Sequence, residues 1–149
     1  MTYNFPVTRT THPKERPADE TKLGFAKYFT DHMFVMDYDE GQGWHDGRVV
    51  PHEPILIEPA SCVLHYAQMM FEGMKAYRTP SGDIQLFRPD MNEKRMLRTN
   101  ERMCIPELPE GLLVAAVRAV IKEDLDWIPS APGTALYIRP FIFGDEVSF

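Results

Sequence analysis

The chain has 149 residues, of which 44% are hydrophobic and 26% charged, and its net charge is −6. This length and composition suit one soluble domain with a real core and are short for two domains. The acidic balance gives no electrostatic reason to expect nucleic-acid binding, and no signal peptide or run of ~18 apolar residues is present, so we expect a cytoplasmic protein that binds neither nucleic acid nor membrane.

The N-terminal part of the chain predicts an extended arm followed by a hairpin. Residues 1–24 form the predicted arm, because their first twenty residues hold three prolines and scattered charges. The sequence YFTDHMFVMD at 28–37 is typical of a strand, DEGQG at 39–43 of a turn, and WHDGRVVP at 44–51 of a returning strand.

The middle of the chain predicts a helix and a second hairpin. A helix begins at Ser61 and ends at Gly73, because Val63, Tyr66, Ala67 and Met70 fall at helical spacing. The segments MKAYR at 74–78 and DIQLFR at 83–88 flank the turn sequence TPSG. Together they predict an antiparallel pair.

Two further helices and a strand complete the prediction. Pro89 begins a helix that runs to about Met103, and residues 110–127 form the clearest amphipathic helix. Its apolar stripe consists of Leu113, Val117, Val120, Ile121 and Leu125. ALYIRPFIF at 135–143 is the strongest strand. The hairpins predict an α+β fold with an antiparallel sheet and flanking helices, not a parallel doubly wound sheet.

The last predicted strand places two polar residues on one face. Strand alternation puts Tyr137 and Arg139 opposite the wholly apolar face of Leu136, Ile138 and Ile142. An arginine between aromatic residues suits a carboxylate clamp, because its planar fork donates two parallel hydrogen bonds. A structural salt bridge is the alternative, and the bare sequence favours it.

Other polar residues are less specific. Arg95, Arg98 and Arg102 share a helix face that could meet a phosphate, although a solvated charged face among Glu93 and Glu101 is the commoner reason for this pattern. Lys75 lies on an amphipathic strand and is expected to face solvent. Cys62 and Cys104 are expected to be reduced, buried thiols, and no metal-ligand spacing stands out.

Four segments resemble branched-chain amino-acid aminotransferases, in that family's order and at its spacing. They are FTDHMF (29–34), HYAQMMFEGMKAYR (65–78), LFRPDMNEKRMLRTNERM (86–103) and LYIRPFIF (136–143). The stretch WHDGRVVPHEPILIEPASCVLHY at 44–66 resembles the segment that leads into the family's first active-site helix. The resemblance runs from about residue 25 to the end of the chain.

This resemblance implies the small N-terminal domain, residues 25–149, of a fold-type IV pyridoxal 5'-phosphate enzyme, which is a homodimer or larger assembly. Arg95 matches the arginine that binds the cofactor phosphate. Tyr137 and Arg139 match residues that hold the substrate α-carboxylate. The aromatic residues that match the wall of the aliphatic side-chain pocket are Phe29, Tyr66 and Phe71. None of the six lysines matches the catalytic lysine, which we expect in a larger domain beyond residue 149.

The implied reaction is transamination of leucine, isoleucine and valine with 2-oxoglutarate, which gives 2-oxo acids and glutamate. We expect the 149-residue chain alone to be inactive, not to bind pyridoxal phosphate stably, and to self-associate. Two alternatives stay open. One is a same-fold relative, such as a D-amino-acid aminotransferase or an aminodeoxychorismate lyase. The other is a stand-alone, non-catalytic domain that binds a partner or a small anion.

Overall fold

A computed structural model describes residues 3–147 as small antiparallel sheets with helices packed against them. The two outermost residues at each end, which belong to the predicted arm and domain, lie outside this description. All pairings between the strands of these sheets are antiparallel, so the predicted α+β class with an antiparallel sheet is confirmed. Among the described residues, no helix is long and apolar enough to cross a membrane.

The first hairpin is formed by β1 (His32–Asp39) and β2 (Gly43–Pro51), which confirms the predicted turn between them. β1 begins at residue 32 and not at the predicted residue 28. The N-terminal arm is attached to this hairpin: Val7 bridges Val49 in parallel, and the backbone N–H of Thr8 donates to the Val49 carbonyl at 2.9 Å. The arm thus covers the fully buried Val49.

The predicted helix from Ser61 to Gly73 is wrong over its second half. Helix α1 covers only Cys62–Tyr66 and ends where Ala67 adopts a left-handed backbone, with φ of 54°. Strand β3 (Met69–Phe71) follows and buries Met70 between two exposed neighbours. Hydrogen bonds to a distant strand outweigh the helical spacing, because the spacing reports only local order.

The C-terminal strands complete two sheets. The predicted second hairpin is confirmed as β4 (Met74–Arg78) and β5 (Ile84–Leu86). The single strand predicted at 135–143 is divided into β6 (Leu136–Ile138) and β7 (Phe141–Phe143). β6 pairs with β4, and β7 pairs with β3.

Two long helices cover the inner side of these strands. α2 (Pro89–Arg102) begins at the predicted proline, and α3 (Leu112–Glu123) is followed by a 3-10 turn, Leu125–Trp127. Of the predicted apolar stripe, Leu125 is 41% exposed because it lies in that turn. The core that joins helices and strands contains Met70, Met74, Ala76, Met96, Ile105, Leu108, Leu112, Leu113, Val117, Ile121 and Ile128.

The cysteines are both free thiols, as expected, but only Cys62 is buried. Cys104 is exposed, so the expectation of two buried thiols is wrong for it. It follows the end of α2 with a left-handed φ of 54°, and the next residue, Ile105, is buried in the core.

Candidate functional site

A break in one antiparallel ladder organises the site. Phe71 pairs with Phe141 and Met74 pairs with Ile138, so both strands advance three residues across the gap and keep one register. The Glu72 backbone N–H donates to the Pro140 carbonyl at 2.8 Å inside this gap. Pro140 has no N–H to return a ladder bond, which explains why the predicted strand is divided.

The common register assigns each residue of the ladder to one of two faces, because directly opposed residues share a face. The inward row is buried or half-buried, and it contains Met70, Glu72, Met74, Ala76, Leu136, Ile138 and Ile142. The outward row is exposed or half-exposed, and it contains Phe71, Gly73, Lys75, Tyr137, Arg139 and Phe141. The predicted division of the last strand into an apolar and a polar face is therefore what the structure has.

Phe71, Tyr137 and Arg139 make contact with one another on the outward row, and we call them the outward cluster. The Arg139 guanidinium donates from Nη2 to the Tyr137 hydroxyl at 2.9 Å, and its Cζ lies 4.4 Å from the centroid of the Phe71 ring. Within residues 3–147, Arg139 forms no ion pair with a carboxylate. The salt-bridge alternative for this arginine therefore has no partner in the described part of the chain.

Phe25 is a neighbour of the cluster that sequence reasoning missed. Its ring meets the Tyr137 ring edge to face, with centroids 5.1 Å apart, while Phe25 itself stays 67% exposed. It lies between Gly24 and Ala26, which both have positive φ. No periodicity marks a residue in such an irregular segment, so only the fold could reveal this contact.

The other two predicted pocket residues lie apart from the outward cluster. The Phe29 ring stacks on the His52 ring, with centroids 5.4 Å apart, and Tyr66 is the exposed last residue of α1. In the described region, neither forms a ring contact or a hydrogen bond with the outward cluster. The structure thus brings together Phe71, Tyr137 and Arg139 but not Phe29 or Tyr66.

Arg95 is held by a buried carboxylate from the inward row. Its Nε and Nη2 donate to the two oxygens of Glu72 at 2.5 and 2.6 Å. Glu72 also accepts from Asn92 Nδ2 at 3.0 Å and from the Gly73 N–H at 3.2 Å. Arg95 belongs to α2 and Glu72 to the gap of the ladder, so this pair ties the helix to the strand break.

The two side chains of this pair have opposite exposure. The Glu72 side chain is 4% exposed and that of Arg95 58% exposed. Burial acts to raise the pKa of Glu72, but the hydrogen bonds from Arg95, Asn92 and Gly73, with the Arg95 charge, outweigh it and lower the pKa below its usual value. The hydrogen bond to Glu72 raises the pKa of Arg95. The pair is therefore ionised at neutral pH.

The remaining residues of the predicted arginine face divide into two groups. Arg98, Arg102 and Glu101 are exposed, in agreement with a solvated face. Glu93 is buried, so its assignment to that face is wrong. Its carboxylate accepts from the N–H groups of Gly111 and Leu113 at 3.1 and 2.9 Å and caps the start of α3.

The curated relatives that match this chain are branched-chain aminotransferases. Branched-chain-amino-acid transaminase 1 of Bacillus subtilis is 51% identical over 94% of this chain, and Branched-chain-amino-acid aminotransferase 2 of the same species is 44% identical over 98%. Each match covers 39% of the relative. The chain thus spans about two fifths of the length of these relatives. No protein-family profile matches it.

Solved structures agree with this relationship. The Escherichia coli branched-chain amino acid aminotransferase superimposes with a TM-score of 0.54 at 26% identity, over 68% of this chain and 32% of that protein. A second branched-chain amino acid aminotransferase, solved in complex with N-(5'-phosphopyridoxyl)-L-glutamate, gives a TM-score of 0.53 at 29% identity, over 67% of this chain and 32% of that one. The fold of this chain is therefore shared with part of these enzymes.

Proposed function

We propose that this chain supplies the substrate-carboxylate clamp and the cofactor-phosphate arginine of a pyridoxal phosphate-dependent transaminase. The chain belongs to the branched-chain amino-acid aminotransferase family and spans about two fifths of the length of its relatives. Its substrates would be leucine, isoleucine and valine with 2-oxoglutarate. We retain residues 25–149 as the domain that carries this function, in a cytoplasmic homo-oligomer.

The observation that carries the proposal is the geometry of Arg139. Its guanidinium is exposed, has no carboxylate partner within residues 3–147, and is fixed between the Tyr137 hydroxyl and the Phe71 ring. An arginine held in this way keeps donors available for an incoming carboxylate and loses less side-chain entropy on binding. Both substrates of a transaminase carry an α-carboxylate, so one clamp serves both half-reactions.

Arg95 fits the phosphate of the cofactor. Glu72 engages the edge of the guanidinium formed by Nε and Nη2, so Nη1 and the second Nη2 proton remain for an anion. The side chain is 58% exposed and its raised pKa keeps it charged. A phosphate accepts two parallel hydrogen bonds from such an edge. Pyridoxal phosphate, when bound, would supply the electron sink of the reaction.

The apolar walls of the proposed substrate pocket are Phe71 from the outward cluster and Phe25, whose ring contacts Tyr137. Exposed aromatic rings gain by burial against an aliphatic side chain, and branched-chain substrates offer only apolar surface at that end. Phe29 and Tyr66 stay proposed members of the pocket, although in this chain they lie apart from the outward cluster. They would join the pocket only through surfaces contributed by the rest of an assembly.

A chimera tests this proposal. The chain would replace the aligned segment of Bacillus subtilis transaminase 1, and formation of glutamate from 2-oxoglutarate and leucine would be measured. We expect turnover, loss of at least tenfold in kcat/KM for Arg139→Lys, and little change for the exposed control Arg102→Lys. A folded chimera without turnover, or equal effects of the two substitutions, would contradict the proposal.

The alternatives make different predictions in the same assay. A D-amino-acid aminotransferase would use D-leucine in preference to L-leucine, and an aminodeoxychorismate lyase would form no glutamate. A non-catalytic domain would leave the chimera inactive with both enantiomers. The 51% identity to a branched-chain transaminase supports the first proposal over these three.

A further inference from the structure

Glu72 is an acid in a row of core residues. Its neighbours on the inward row are Met70 and Met74, which are buried, and its own side chain is 4% exposed. A carboxylate in such a position costs free energy unless each of its oxygens is hydrogen-bonded.

Five hydrogen bonds hold Glu72 in place. Its two oxygens accept from Arg95 twice, from Asn92 and from the Gly73 N–H, and its backbone N–H is bound to the Pro140 carbonyl. Asn92 also donates to the Gly73 carbonyl at 3.1 Å. The carboxylate is therefore a buried acceptor with both oxygens hydrogen-bonded, whereas the Arg95 side chain is 58% exposed.

We propose that Glu72 is a positioning residue that fixes the Arg95 guanidinium by one edge so that its other edge is presented to a phosphate monoester. This inference rests on the proposed function, in which Arg95 binds the cofactor phosphate. Glu72 acts through Arg95 and does not touch the phosphate. Asn92 supports Glu72 from the preceding turn of α2.

Two physical effects of Glu72 on phosphate binding have opposite sign. Its negative charge repels a nearby phosphate, so removal of that charge alone would tighten binding. Its hold on Arg95 reduces the entropy that the arginine loses on binding, so removal of that hold would weaken binding. The proposal holds that the second effect is larger. The sign of the change in affinity on neutralising Glu72 therefore decides it.

The experiment uses the cofactor-free chimera described above, 15N-labelled, because it adds the part of the transaminase that this chain does not span. Its arginine side-chain signals are followed by NMR, and the chimera without a further substitution is the wild type. Inorganic phosphate and pyridoxamine 5'-phosphate are titrated, with pyridoxamine as the ligand without phosphate. In the wild type we expect the Arg95 Nε–H signal to keep its position while the Nη signals shift. A shift of the Arg95 Nε–H signal on binding would mean that Arg95 leaves Glu72, and would overturn the proposal.

Substituted variants show whether the phosphate affinity falls or rises when Glu72 is neutralised. We expect Glu72→Gln to weaken phosphate binding about tenfold, which corresponds to ~1.4 kcal/mol, and Asn92→Ala to weaken it by less. Glu101→Gln removes one negative charge from an exposed position on α2, the helix that carries Arg95, and should change the affinity little. Equal or tighter binding by Glu72→Gln would overturn the proposal. If Glu72→Gln does not fold, Asn92→Ala decides, and wild-type affinity for that variant overturns the proposal.

The outcomes separate this inference from the proposed function. If the wild type binds neither phosphate ligand at Arg95, the proposed role of Arg95 fails, and the inference fails with it. If the wild type binds both phosphate ligands and not pyridoxamine, but Glu72→Gln binds them equally well, only the positioning role fails. A purely structural Glu72 would lower the melting temperature of the variant without moving its phosphate affinity.

Discussion

The Tyr137 hydroxyl occupies the space beside Gly73 that a side-chain carbon at that position would need. Gly73 lies in the gap of the ladder, and an added Cβ would also come within 3.0 Å of the Tyr137 Cζ. We therefore expect Gly73→Ala to displace Tyr137 and its hydrogen bond to Arg139, and to lower the free energy of unfolding by about 1–3 kcal/mol. Urea denaturation measures this loss.

A double-mutant cycle isolates the steric cause. Tyr137→Phe removes the hydroxyl and most of the conflict, so Gly73→Ala should cost less in the Tyr137→Phe background than in the wild type. If the two changes are additive, Gly73 has another role and the contact with the hydroxyl is not the reason for the glycine.

Glu93 is predicted to stabilise the start of α3. Glu93→Ala leaves the N–H groups of Gly111 and Leu113 without their acceptors, and unsatisfied buried donors cost about 1–3 kcal/mol. Thermal and urea denaturation should detect this loss. Glu101→Ala on the same helix is the matched control and should be nearly neutral. Equal stability of the two variants would rule out the capping role.

His45 gives the first hairpin a pH-dependent stability. Its two ring nitrogens face Asp46 Oδ2 at 3.0 Å and Asp39 Oδ2 at 2.9 Å, and the hydrogen bond to Asp46, then that to Asp39, raises the pKa of His45 above 6.5. A raised pKa in the folded state means that this stabilisation is fully present below pH 6.5 and is lost as the pH rises through the folded-state pKa.

We therefore expect the melting temperature to fall as the pH rises from 6.5 through the folded-state pKa of His45, and to fall less in the variant His45→Gln. NMR titration of the His45 ring gives the folded-state pKa directly. A pKa of His45 at or below 6.5 would contradict the assignment of both ring nitrogens as donors to carboxylates.

The loop before α1 presents apolar side chains to solvent. Ile55, Leu56 and Ile57 are 47%, 99% and 37% exposed in succession. Such a surface favours association, so we expect the chain to self-associate with rising concentration. Sedimentation should show weaker association for the double variant Ile55→Ser, Leu56→Ser than for the control Met103→Ser. Monomeric behaviour of the wild type at high concentration would contradict this expectation.

Much of the fold could be predicted because local patterns and tertiary structure agree. Pro89 begins α2, and the alternation around Tyr137 and Arg139 is predicted correctly, since both depend on neighbours in the sequence. The strand Met69–Phe71 escapes prediction because its partner is some seventy residues away. A helical spacing that ends in Met70 looks the same whether or not such a partner exists.

Glu72 escapes prediction for the same reason. On a helix it would be a terminal acid, whereas on the strand it stands in the row of Met70 and Met74 and needs a buried partner. Correct assignment of the strand would have revealed an acid at an apolar position. No sequence pattern indicates the role of Phe25, because its contact with Tyr137 depends on the path of an irregular segment.

We propose that this chain carries binding groups of a transaminase but not the lysine that bonds the cofactor. Lys75 is the lysine that tests it most sharply, because it lies opposite Tyr137 on the outward row. The chain of 149 residues would be incubated with pyridoxal phosphate, reduced with borohydride and mapped by mass spectrometry, with leucine turnover measured in parallel.

We predict no turnover and only scattered, substoichiometric labelling, with Lys75 labelled no more than the exposed Lys122. Stoichiometric labelling of a single lysine, together with conversion of leucine to its 2-oxo acid, would contradict this proposal.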